Sequence, residues 1–167
     1  MLDIEEILGK ASVFKGLTKE DLSEIIKIVR EERFRSGETI MQEGDEGAKM
    51  YILVEGELGV SKALTLKFGQ DDFRKTEKAL NKLTAKNHPV FGEMALIAKD
   101  KRSASVVCDT DCLLLEINRD DFLRLIETRC DIGMRILMNI SAMLIRRLQQ
   151  TDQDVIRLTT ALSIALS

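Results

Sequence analysis

Between Phe91 and Val106 the chain reads Phe-Gly-Glu-Met-Ala-Leu-Ile-Ala-Lys-Asp-Lys-Arg-Ser-Ala-Ser-Val, a set of residue types suited to holding a small anion. Gly92 removes the Cβ that would keep a ligand away from the backbone. A turn starting there presents the N–H groups of Glu93, Met94 and Ala95, aided by the positive end of the local peptide dipoles. Nine residues beyond Glu93 stands Arg102, whose planar fork can take two phosphate oxygens at once, a contact that lysine cannot reproduce. Ser103 adds a hydroxyl and Ala104 a further N–H. Glu93 cannot face an anion, so its partner is a donor, either elsewhere on the same ligand or an arginine of the chain.

The elements that position this segment are mainly strands. Short apolar runs are broken by turns at Gly37, Gly44, Gly47 and Gly56, and further runs follow at Ser103–Cys108 and Leu113–Ile117. Short strands at close spacing predict a β-barrel or jelly roll. Helices flank it. Leu22, Ile25, Ile26 and Val29 recur at helical spacing behind Thr18 and Asp21, a capping-box pair, and Asn118 with Asp121 repeats that signature. The spacing of Phe73, Thr76, Leu80 and Leu83 predicts an amphipathic helix inserted over about 71–83. From Leu64 to His88 there are six Lys/Arg against three Asp/Glu, so this insertion either covers a barrel edge or docks an acidic partner.

From Cys130 to Ser167 there is no proline, and Gly133 is the only glycine, which predicts one long helix. Leu137, Ser141, Leu144, Leu148, Thr151, Val155, Leu158 and Leu162 follow at alternating steps of four and three, a coiled-coil-like seam. A second stripe, Ile136, Ile140 and Met143, is placed to pack on the barrel. One face inward and one outward predicts a homodimer through this helix.

The Phe-Gly-Glu-Met-Ala-Leu-Ile string, the step to Arg102 and the Ser-Ala-Ser-Val that follows resemble the phosphate-binding cassette of cyclic-nucleotide-binding domains. Upstream, Arg35–Gly47 and Met50–Leu58 extend the resemblance, which covers roughly residues 14 to 150. It implies a mainly β fold with flanking helices: an eight-stranded double-stranded β-helix (jelly roll, or β-roll) over 31–118. N-terminal helices over 1–30 and C-terminal helices over 119–167 complete a single domain. Glu93 would then accept from a ribose 2′-hydroxyl, the group that separates ribo from deoxyribo ligands. Ile140-Ser141-Ala142 and Arg146 through Asp152 look like the dimer helix of the catabolite-activator branch of the family. That likeness makes Thr151 a base-contacting candidate, with Asp152 beside it in place of the family's serine. Lys101 stands where the family often has proline.

The 167 residues carry a net charge of −3, with 4% aromatics and no tryptophan, so the core must be aliphatic. No run is long enough to span a bilayer, and Met1–Glu6 lacks the basic start of a signal peptide; a cytoplasmic protein with no membrane contact is expected. The three cysteines, Cys108 and Cys112 among them, fit reduced thiols, and one histidine, His88, excludes multi-histidine metal sites. No basic stripe and no helix-turn-helix segment accompany the long helix, so a stand-alone form with no direct DNA binding is expected. No nucleophile–base pair is visible, which argues against an enzyme. The leading reading is a regulatory domain that binds a cyclic nucleotide, cAMP ahead of cGMP, without metal, and signals as a homodimer through an unidentified protein effector. A ligand-free dimerisation module on the same fold is the alternative, and a haem sensor using His88 a third reading.

Overall fold

The computed structural model describes residues 2–67, 73–99 and 101–166. Two short helices, α1 (Ile4–Lys10) and α2 (Lys19–Ile26), precede the strands β1 (Val29–Phe34), β2 (Thr39–Met41), β3 (Lys49–Glu55), β4 (Glu57–Lys67), β5 (Phe73–Thr84) and β6 (Val90–Phe91). A four-residue helix α3 (Met94–Ile97) then leads to β7 (Ser105–Cys108), β8 (Cys112–Asn118), α4 (Arg119–Thr128) and α5 (Cys130–Ala165). The eight strands form two antiparallel four-stranded sheets, ordered β1-β8-β3-β6 and β2-β7-β4-β5. This is a β-roll flanked by helices, as the family resemblance implies.

The first sheet is covered on both faces, which explains why β3 and β8 read as continuous apolar runs and not as alternating ones. Tyr51, Leu53, Leu114 and Cys112 meet Leu58, Phe91 and Val106 inside the roll. Met50, Ile52, Leu113, Leu115 and Ile117 face the other way, against Leu8, Phe14, Ile25, Phe122, Ile136 and Ile140 of the helices. The helices are therefore held to one face of the roll by a single apolar layer.

Local signals set the helix starts. Thr18 Oγ1 accepts the Asp21 N–H at 3.2 Å while Asp21 Oδ2 accepts the Thr18 N–H at 3.0 Å, a complete capping box. Asn118 caps α4 differently: its side chain accepts from the Asp120 N–H at 2.9 Å, while Asp121 pairs with Arg124 and Arg30. The box expected from Asn118 and Asp121 is thus an N-cap alone.

The helix expected over 71–83 is not formed. Residues 71 and 72 lie outside the described part, and Phe73–Thr84 is strand β5, paired along its length with β4. The register gives the reason. Val60 faces Asn81 and Ser61 faces Ala79, so Leu80 is the extra residue of a β-bulge. The three-residue step from Leu80 to Leu83 mimics a helical turn, but it is a strand's period of two lengthened by that bulge.

Helix α5 buries Ile132, Gly133, Ile136, Ile140 and Met143, the stripe expected to pack on the roll. A Cβ on Gly133 would stand 2.8 Å from Ile126 Cβ, so glycine here lets α4 and α5 approach. The expected outer seam divides, because Leu137 and Leu144 are half-buried on their own domain while Leu148, Val155, Leu158 and Leu162 are exposed. Among the described residues no helix is long and apolar enough to cross a membrane.

Candidate functional site

Strand β6 ends at Gly92, whose φ of +72° is open to glycine and strained for other residues. The chain then turns through Glu93 into α3. The Ala95 N–H donates to the Gly92 carbonyl at 3.1 Å and the Leu96 N–H to that of Glu93 at 3.1 Å. One of the three expected anion donors, that of Ala95, is thereby committed to the turn itself.

Arg102 is fixed from two directions. Its N–H donates to the Asp45 carbonyl at 2.8 Å, and its own carbonyl accepts from Gly44 at 2.9 Å. The guanidinium then passes between two glycines and gives Nη2 to the Lys49 carbonyl at 2.9 Å. A Cβ on Gly47 would overlap this guanidinium, and one on Gly92 would stand 2.8 Å from Nη1 and 2.9 Å from the Lys49 oxygen. Both glycines are therefore needed by the arginine, a role that their position in turns did not reveal. Burial acts to lower the Arg102 pKa, while neighbouring Tyr51 and Glu93 act to raise it.

Helix α5 closes the site. Glu93, only 2% exposed, accepts Arg147 Nη1 on Oε1 at 2.6 Å. Arg147 also gives Nη2 to the Val90 carbonyl at 3.3 Å. One turn on, Thr151 Oγ1 donates to the Arg147 carbonyl at 3.0 Å. That spends the hydroxyl's single proton and leaves its oxygen as an acceptor.

These groups surround one cavity of about 740 Å³, lined by Gly92, Glu93, Met94, Ala95, Arg102, Ser103, Ala104 and Thr151. Asp152 is not among its lining residues: one residue past Thr151 on a helix, it is turned about 100° away. Five residues that sequence reasoning missed also line it: Arg147 and Gln150 on α5, and Leu80, Asn81 and Leu83 on β5. Arg147 could have been found from the buried carboxylate it serves, since a glutamate inside a roll needs a cation. The β5 residues were hidden by the helical reading of their spacing.

Other candidates lie elsewhere. The His88 ring sits with Nδ1 3.2 Å from the Leu53 carbonyl and does not line the cavity. Cys108 and Cys112 are buried at the β7–β8 corner. Burial, with Cys112 alongside, pushes the Cys108 thiol up to about 12.

The cyclic nucleotide-binding domain model matches residues 31–129. A cGMP-dependent protein kinase of Caenorhabditis elegans is 32% identical over 119 residues, 71% of this chain but only 13% of that protein. The chain thus spans a small part of the kinases it matches. The crystal structure of the Thermus thermophilus catabolite activator protein superposes with a TM-score of 0.71 at 28% identity, covering 89% of this chain and 63% of that one. The regulatory domain of Toxoplasma gondii PKA, co-crystallised with cAMP, superposes with a TM-score of 0.59 at 29% identity, covering 73% of this chain and 42% of that one.

Proposed function

The chain belongs to the cyclic nucleotide-binding domain family, and on that premise we propose that its cavity takes a purine cyclic monophosphate and that it works as a regulatory sensor. The observation that carries this reading is the meeting of Arg102, the Gly92–Glu93 turn and Thr151 in one cavity. The phosphate takes Arg102, the Glu93 and Met94 N–H groups and the Ser103–Ala104 segment. The ribose 2′-hydroxyl donates to Glu93. Relatives named for cGMP and for cAMP both match, so the base must be chosen by this chain's own residues. Thr151 offers an acceptor, its proton being held by Arg147. Adenine has an amine at the six-position where guanine has a carbonyl oxygen, so an acceptor at Thr151 that meets this position would favour cAMP over cGMP.

Thr151 lies on the helix whose outer face remains exposed, so we also propose that the sensor is a homodimer through α5 and acts on a protein effector. A ligand shifts such a dimer only if it binds one arrangement better than another. Isothermal titration with cAMP and cGMP tests the ligand. Heat with one or both is expected, and its absence at millimolar nucleotide overturns the proposal. Arg102→Ala should weaken binding by at least about tenfold, since unpairing a buried phosphate costs about 2–5 kcal/mol.

A second reading, a ligand-free interaction module, is favoured by the ion pair Arg147–Glu93, which satisfies the ribose acceptor from within the chain. Nucleotide found by mass spectrometry in the purified protein would dispose of it.

A further inference from the structure

Opposite its buried face, α5 carries an apolar line that the expected seam overlaps only in part. It starts at Met134 and Met138, passes Ile145 and Leu148, and continues through Val155 and Leu162, every one of them more than half exposed. With Ser141, Asp152 and Thr159 included it advances in steps of four and three. A period of 3.5 drifts about 20° per heptad around a straight helix and is kept in contact only by a second helix supercoiled along it. The line spans 29 residues, about 42 Å of helix. Of its flanking positions only Arg135, beside Met134, is charged; Ala142, Leu144, Gln149, Thr151, Ile156 and Leu158 hold no charge. A long, heptad-spaced surface with so little charge along its flanks fits another of its own kind, so its occupant is a second copy of this chain.

One residue breaks the line. Asp152 occupies the step between Leu148 and Val155, in the middle of the seam, and is exposed in the single chain. Among the described residues of α5, no cation lies on the line beside it. Arg147 is committed to Glu93 and Arg157 lies near Asp154, and Arg146 lies off the stripe. If two copies run in parallel, Asp152 meets its twin; if antiparallel about Gln150, it comes opposite Leu148. Either arrangement takes a carboxylate out of water without a partner.

We infer that Asp152 is a built-in weak point of self-association, which keeps the α5 seam in reversible equilibrium and stands next to the cavity-lining Thr151. The inference rests on the dimer reading above. Sedimentation equilibrium on the full chain, with helix content checked by circular dichroism, tests it. Asp152→Leu should lower the dimer dissociation constant by at least about tenfold, the order expected for removing one uncompensated buried charge. Asp152→Asn should move it less in the same direction, and Gln153→Leu, off the seam, should leave it unchanged. An unchanged or weaker dimer with Asp152→Leu, or equal tightening with Gln153→Leu, overturns the inference while leaving the dimer. If neither wild type nor Asp152→Leu associates at any concentration reached, the dimer reading falls and takes the inference with it.

Discussion

Replacing Arg147 by methionine keeps most of the side chain's apolar stem and removes only the charge. What remains is Glu93, 2% exposed, with its nearest cation gone. Removing one partner of a buried ion pair costs about 3–5 kcal/mol. Arg147, however, is 53% exposed, so water already screens the pair from one side, and we reduce the expected cost to about 1–3 kcal/mol. For a chain of this length each kcal/mol moves Tm by about 2–4 °C, which puts the fall near 4–8 °C for a cost of 2 kcal/mol. Glu93→Gln keeps the shape without the charge. In that background Arg147→Met should cost less than about 0.5 kcal/mol, because no carboxylate is left to strand. Urea unfolding followed by circular dichroism gives both figures, and several protein concentrations separate folding from any linked association. An Arg147→Met cost that is the same in both backgrounds would refute the claim that this pair fastens α5 to the roll.

Gly47→Ala places a Cβ on the Arg102 guanidinium; titration should show a loss of cyclic-nucleotide affinity of about tenfold or more, with little change in melting. Wild-type affinity in that variant would mean that Arg102 binds from another position. The thiols should separate by environment. At pH 8 iodoacetamide should label exposed Cys130, while Cys108, with its pKa pushed up to about 12, keeps its proton and reacts only after unfolding. Mass spectrometry that finds Cys108 labelled as fast as Cys130 in the native protein would contradict that placement.

The parts of the site that depend on residues near in sequence could be read from the chain. The Gly92–Glu93 turn, the step to Arg102 and the Thr18–Asp21 box are local grammar, and the structure places Arg102 and that turn on one cavity. What could not be read depends on residues meeting across the fold. No local spacing ties Arg147 to Glu93, 54 positions apart, or Gly47 to Arg102. The β4–β5 hairpin was misjudged for a different reason: a bulge at Leu80 makes a strand imitate a helix. The outer seam was read in a register that shares Ser141, Leu148, Val155 and Leu162 with the exposed one. Pattern alone cannot choose between two heptad frames, and only the burial of Leu137 and Leu144 against their own domain separates them.

Helix α5 runs on past Thr151 for fourteen further residues, to Ala165, about 21 Å. A single rigid rod therefore has one part forming the cavity wall and its far end well clear of it. Such a rod acts as a lever arm. A tilt of 10° about Thr151 would carry its tip through about 4 Å. On the sensor reading proposed above, a small fitting movement around a nucleotide would become a larger displacement at the far end of α5.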